Sequence, residues 1–469
     1  MIIFSSEFLI AGSSAVASLS VSMLIPSAGT ISPSLPSNYD FVFKINGSGG
    51  YEAISSNGSV VYSSTNASFV FNYVMASGQT FFVEPGNYYL TAPILLHSNV
   101  TFVGSGIDTT NFDVAADMSY YTGIDWVSGV FDNDASSNSN ITLDGFTING
   151  NSPTYMATGI WLENVNYFTL DNVKVNGTYA EALIVNQEYN PTYNNTNYVI
   201  NNVQTYGCGL VGGDDTSDSL AFHCVTDFSI TNIFVNVTGS SGIIVTNQNQ
   251  NAPEDQGENC SNGLIANCSV YSSQATNDFT LNYCQNLTLE NLYAYGAYNH
   301  NYDIESSSNV SIQNITSNNS GDHGIHISGC QGIMAYSLVS YNSGQITPGD
   351  GVGIFIQDSS NCTFNNSQSN SNLLMGWLIT TITVGCSNIN LVNCTGINNV
   401  ANDGLALYSY FSEITVNETF INGGNFSGNG AYGIEITNTV MNTQIMDVNY
   451  GAGNTKQNIL NDGTNTLIT

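Results

Sequence analysis

Two stretches, LTLENLYAYG (287–296) and VSIQNITSNN (310–319), decide the fold. Each reads as a short alternating strand, an Asn at the fifth place, and a second short strand. The pattern recurs in FTLDNVKVNG (168–177), YVINNVQTYG (198–207), FSITNIFVNV (228–237), GLIANCSVYS (263–272), CTFNNSQSNS (362–371) and INLVNCTGIN (389–398). The fifth place holds Asn172, Asn202, Asn232, Asn267, Asn291, Asn314, Asn366 and Asn393, with Ser337 interrupting the series. Blocks recur roughly every 23 to 35 residues, a solenoid period. Asn tolerates the left-handed backbone that a sharp bend demands, and amides stacked about 4.8 Å apart can bond up the stack. Chance enrichment in Asn would not keep one register across so many blocks. The expected fold is all-β: a single-stranded right-handed parallel β-helix with three strands per coil and an Asn ladder.

The third strand precedes each block and carries a Gly-Ile-x-Ile flavour: TGIWLEN, EALIVNQ, DSLAFHC, SGIIVTN, NDFTLNY, YDIES, HGIHISG, GVGIFIQ, NDGLALY and YGIEITN. Alternation predicts one inward column of Ile160, Leu183, Leu220, Ile243, Phe279, Ile304 and Ile325, with the intervening residues facing out.

These blocks, together with GQTFFVEPGNYYLTAPILLHSNVTFVGSGIDTT (78–110), resemble the pectin-lyase-like β-helix superfamily, which includes polygalacturonases and viral tailspikes. The resemblance covers about residues 60–450. It is specific for fold, and the fold serves lyases, hydrolases, isomerases and inert adhesins.

Composition narrows the function. There are 3 Lys+Arg against 35 Asp+Glu, a net charge of −32, and only 8% of residues are charged. The cations are Lys44, Lys174 and Lys456; the chain has no Arg. Nucleic acid and anionic membranes are thereby excluded as partners, since both need clustered cations. A substrate held through a carboxylate or phosphate by Arg is excluded as well. Hydrophobic residues at 42% and aromatics at 11% argue against disorder.

Residues 1–26 form an apolar tail containing Glu7, without the positive start of a secretory signal. It reads as an anchor, a docking segment or an atypical signal. Residues 27–40 read as a linker, and 41–469 as the β-helix with N-terminal capping coils. Sequons at Asn46, Asn57, Asn99, Asn140, Asn236, Asn286, Asn314 and Asn425 fit an exported, glycosylated protein. The nine Cys include no C-x-x-C, so their spacing predicts no zinc site. Cys208–Cys224 and Cys260–Cys268 are either local disulfides or buried small hydrophobes.

Candidate chemistry falls on the Gly-Ile-x-Ile sheet. Thr276-Asn277-Asp278, Tyr302-Asp303-Ile304-Glu305 and Asp322-His323-Gly324-Ile325-His326 are similar to the polygalacturonase signature of N-T-D, D-D and G-H-G on adjacent coils. That family's R-I-K falls here at Gly353-Ile354-Phe355, so both cations are lost. The resemblance therefore implies a neutral sugar. On residue chemistry alone, stacked carboxylates cannot both ionise freely, and a raised acid beside an ionised partner suits glycoside hydrolysis. The expected roles are Asp303 or Glu305 as general acid, Asp278 as base, and His323 and His326 as orienting groups. A second cluster pairs Glu181 with Asp218, near His223. Asp214, Asp215 and Asp218 form a possible Ca²⁺ site; no other cofactor and no other metal is expected. Trp161, Tyr302, Phe355, Trp377 and Tyr408 are expected to face outward, where rings, with His223 beside them, would meet sugar. A Ser nucleophile motif is absent, and pectate-type lyase chemistry lacks its Arg.

The sequence thus predicts a glycosylated cell-surface or virion-surface protein that recognises carbohydrate, tailspike-like, and that hydrolyses neutral glycans if it is an enzyme. A trimer or a larger assembly through the N-terminal tail is the expected partner state. A secreted glycoside hydrolase and a non-enzymatic structural adhesin are the alternatives.

Overall fold

The computed structural model describes residues 39–469, apart from 77, 119–127, 134–135, 186–194, 211–217, 248–259, 347–350, 412 and 451–452. The apolar tail and most of the linker lie outside the described residues, as do Asp214 and Asp215. No helix among the described residues is long and apolar enough to cross a membrane.

The chain winds into a parallel β-solenoid of about 12 turns. One wall is a 14-stranded parallel sheet, and the others form a 25-stranded sheet folded along its length. Each coil contributes one strand to the first sheet and two to the second. In Val165–Asn176 and Asn195–Cys208 the latter two run on as one strand, bent at Asn172 and Asn202. These two bends have φ of 52° and 50°, and every other fifth-place residue, Ser337 included, also has positive φ. The corner the sequence predicts is therefore the corner the chain makes.

The amides do link coils, though not uniformly. Asn291 Nδ2 donates to Asn267 Oδ1 at 3.1 Å, and Asn314 Nδ2 to Asn291 Oδ1 at 3.2 Å. Asn232 Nδ2 instead reaches Asn201 at 2.7 Å. A second ladder went unread in the sequence: Asn140 donates to Asn99, Asn262 to Asp227, Asn286 to Asn262 and Asn309 to Asn286. All of these residues have positive φ. The sequon asparagines Asn99, Asn140, Asn286 and Asn314 are thus rungs of ladders.

The N-terminal end is closed by antiparallel strands Phe41–Ile45, Tyr51–Ser55 and Val60–Ser64 and by helix Ala67–Val74. Asn66 caps the helix, accepting the Ser68 N–H at 2.9 Å. Phe71 enters the open end of the first coils against Phe43, Phe102 and Phe112. Without such a plug the terminal coil would leave its apolar floor in water.

All nine cysteines are free, and eight are buried. Cys260, Cys284, Cys330 and Cys386 share a corner column with Ser307 and Ser359. In this column, side chains accept buried backbone N–H groups from the neighbouring coil, as Cys260 does for Val225, Ser307 for Cys284, and Cys386 for Ser359. The small-hydrophobe reading holds, with a weak acceptor role added.

The ladder can be tested directly. Asn291→Val places a β-branched residue at φ 55° and removes two amide links; it is expected to cost more than about 2 kcal/mol. Asn291→Gly keeps the bend and is expected to cost under about 1 kcal/mol. Denaturant melts that rank the two equally would contradict the bend as the reason for Asn.

Candidate functional site

The register of the 14-stranded sheet settles which side chains face out. The inward column runs Ile160, Leu183, Leu220, Ile243, Phe279, Tyr302, Ile325, Ile354, Trp377, Leu405, Ile434. Tyr302, not Ile304, occupies the rung above Phe279, with the two rings stacked 5.0 Å apart. Ile304 belongs to the next inward column, beside Leu281 and Ile327. The YDIES coil is thus shifted by two residues from the sequence-based alignment.

Two expected sugar-facing rings consequently lie in the core. Tyr302 is fully buried and its hydroxyl donates to Thr316 O at 3.0 Å. Trp377 is fully buried too; its Nε1 donates to Thr395 O at 2.8 Å and its ring lies edge-on to Phe364. The indole and phenol find backbone acceptors, which lets these large rings fill the interior.

Asp278 is also not on the outer face. The residue just before the inward column turns into the coil, where Gly usually stands. A Cβ on Gly324 would meet Ser340 Oγ at 2.0 Å, and one on Gly353 would meet Ser369 Oγ at 1.9 Å. Asp278 and Asn301 occupy this place instead. Asp278 takes the Ser273 hydroxyl at 2.7 Å, and Asn301 donates to Ser317 at 2.9 Å. Asp278 is fully buried, and burial pushes its carboxyl up to about 8. It therefore does not stack with Asp303; the neighbours of Asp303 in register are Thr280 and His326. Likewise Glu305 lies level with Asn282 and Ser328, not with His326.

What the outer face gathers is a compact centre. Asp303 Oδ1 lies 2.8 Å from His326 Nδ1. Glu305 Oε1 is 3.9 Å from the same nitrogen. Asn277 clamps the coil, donating to Asp303 Oδ2 at 3.0 Å and accepting the His300 N–H at 3.0 Å. His300 and His323 stand on adjacent rungs with rings parallel to within 2° and centroids 5.0 Å apart. Asp322 Oδ1 is 3.2 Å from His323 Nδ1. Phe355 closes one side, edge-on to His323 at 4.7 Å and tilted over His326 at 5.1 Å. Each imidazole is only 9% exposed, so the centre forms a floor rather than a rim.

Sequence reasoning missed His300 as a site residue, and it quoted Asp322 within the signature without giving it a role. The available signal was the 23-residue offset shared by His300/His323 and Asp303/His326. Burial, reinforced by the other two imidazoles, pushes His300 down to about 2, so it is neutral at ordinary pH. Burial and the nearby Asp303 charge raise the Glu305 carboxyl.

The remaining expected residues scatter. Glu181 and Asp218 do match in register, two places before Leu183 and Leu220. Glu181 is buried and pushed up to about 8, mainly by that burial. Asp218 accepts the Ser241 N–H at 2.7 Å. His223 is buried and pushed down to about 3. Trp161 does face out, on the Asp303 column, and its Nε1 donates to Glu163 at 3.2 Å. Because Asp214 and Asp215 lie outside the described residues, the Ca²⁺ expectation has no described geometry beyond Asp218. A separate groove of about 690 Å³ lies on the other sheet, lined by Asn99, Tyr167, Val199, Asp227 and Asn262.

No protein-family profile and no curated protein matches the chain. Solved structures do. The pre-mature gene product 12 of bacteriophage phi29 is 13% identical with a TM-score of 0.54, covering 86% of this chain and 55% of that one. The chain thus spans little more than half of that phage protein. The A-module of a mannuronan C-5 epimerase from Azotobacter vinelandii is 14% identical, TM-score 0.44, covering 86% and 95%. A family 28 exopolygalacturonase from Yersinia enterocolitica is 10% identical, TM-score 0.41, covering 89% and 82%. The fold that the chain shares with the phage protein is a parallel β-helix.

The buried acids set a pH signature. Glu181 and Asp278 at about 8, and Asp403 at about 7, hold their protons more tightly in the fold than in the unfolded chain. Each contributes stability that is complete below about pH 4 and is lost as pH rises through 7 to 8. His223 and His300 act oppositely, but only below their unfolded pKa of about 6.5. Of these five groups, only the three acids act between pH 8 and 6.5. The thermal midpoint is therefore expected to rise on acidification over that window, and to rise less in Glu181→Gln. A midpoint that falls over the same window would contradict the assignment.

Proposed function

We propose that this chain is a carbohydrate-recognising β-helix that hydrolyses neutral glycans on the outer face of its 14-stranded sheet. The observation that carries the reading is the pair Asp303 and Glu305, both beside His326 Nδ1, on a floor walled by Phe355. Glu305, with its carboxyl raised by burial and by the Asp303 charge, is suited to protonate a leaving oxygen. Asp303, held by Asn277 and His326, is suited to activate water or to support positive charge on the sugar ring. It replaces Asp278, whose inward position removes it from this role. Trp161 and Phe355 supply apolar surface along the same face.

The charge balance supports a neutral sugar. The chain has no Arg, and its three Lys stand elsewhere: Lys174 against Asp108, Lys44 near Glu52, and Lys456 over Tyr432. A uronate would bring further negative charge to a floor that already holds Asp303, Asp322 and Glu305. Display outside the cell or on a virion, glycosylation, and either a trimer or a larger assembly through the N-terminal tail complete the reading. The Asn-rich, Lys-poor surface and the coverage of a phage gene product support them.

The test is hydrolysis of a panel of neutral oligosaccharides by the full chain. Glu305→Gln and Asp303→Asn are each expected to lower kcat by about 10²- to 10⁴-fold, with the chain still folded. Binding without cleavage, unchanged in both variants, would make the chain a recognition module. Neither binding nor cleavage would leave a structural adhesin.

A further inference from the structure

The geometry points to a divalent transition-ion site of the zinc kind formed by His300, Asp303 and His326. This departs from the sequence-based expectation, which placed its only cation among Asp214, Asp215 and Asp218. One potential ligand atom from each of the three residues lies within 4.8 Å of the others, and all three residues are buried. Two imidazoles and one carboxylate with a further position open is a donor set that zinc-class ions favour; Ca²⁺ and Mg²⁺ prefer oxygen throughout. Zinc–ligand bonds of about 2.0 to 2.1 Å put tetrahedral donors about 3.4 Å apart.

The scaffold suits this role. His300 and Asp303 come from one coil and His326 from the next, so the backbone ladder fixes their separation. Asn277 holds Asp303 Oδ2 and leaves Oδ1 facing His326. Such an outer partner commonly orients a metal-binding carboxylate. Asp322, near His300 and His323, adds negative charge behind the imidazoles. An ion bound at His326 Nδ1 would take the place of the hydrogen that links this nitrogen to Asp303 Oδ1, and the imidazole would carry its proton on Nε2. A bound ion would also supply the positive charge that a chain without Arg lacks on this face. The inference concerns the same floor as the glycan reading but does not depend on it, because metal uptake is measured without substrate.

The experiment strips the full chain with chelator and titrates it with Zn²⁺, followed by calorimetry and by metal analysis after gel filtration. One equivalent is expected to bind and to raise the thermal midpoint. Asn277→Ala is expected to weaken binding about 10-fold, and His300→Ala and His326→Ala by more than about 100-fold. His97→Ala is expected to change nothing. Should the histidine variants fail to fold, Co²⁺ added to the unaltered chain supplies the second reading. Visible bands of a low-symmetry site with nitrogen ligands are expected. No stoichiometric uptake would overturn the inference. So would uptake that survives both histidine substitutions, or that Ca²⁺ competes for at equal concentration. Loss of metal with hydrolysis intact would separate this site from the glycan reading.

Discussion

Parallel stacking at about 4.8 Å is the constraint on which the rest of this molecule depends. Every backbone group on a strand bonds to the coil above and below, so each residue must lie over its equivalent. A shift of a single coil changes which side chains meet on the outer face. The coil of Tyr302–Glu305 shows this most clearly. With Tyr302 over Phe279, Asp303 lies between Thr280 and His326. With Ile304 there, Asp303 would have joined a different column and the centre would not exist.

The corners were legible in the sequence because they depend on backbone conformation alone. A left-handed bend selects Asn with little regard to what surrounds it, and the positions from Asn172 to Asn393 all make that bend. Side-chain direction on the strands was harder. Hydrophobic alternation assumes that each step flips the side chain, yet the place before the inward column also turns inward. Gly324 and Gly353 mark it by having no side chain, and Asp278 and Asn301 occupy it by bonding to serines inside the coil. No period in the sequence separates such an Asp from an exposed one. Trp377 and Tyr302 misled for a related reason: both look amphipathic, but a single backbone carbonyl satisfies each within the core. His300 was overlooked because it precedes its strand, although its 23-residue offset from His323 was in plain view.

The centre gathers three of the five imidazoles of this chain on two adjacent coils. With 5 His in 469 residues, three of them within one contact sphere is a local concentration that stacking alone does not require. Burial keeps His300 neutral, and the acids around it keep the floor negative. A floor with these properties can protonate a glycosidic oxygen, hold a cation, or do both. The surrounding β-helix contributes rigidity. The positions of Asp303, Glu305 and His326 follow from ladder hydrogen bonds and not from loops, which favours a site held in one geometry.

The most direct test of the register, and hence of the centre, is histidine-selective ¹⁵N NMR of the full chain, comparing the native sequence with Asp303→Asn. Five imidazoles give few signals, and single His→Gln variants assign them. The account predicts that Asp303→Asn shifts the His326 Nδ1 resonance strongly and the His300 resonances to a lesser degree, while His97 and His223 stay in place. A His326 signal that ignores the substitution would mean that Asp303 and His326 do not share the outer face.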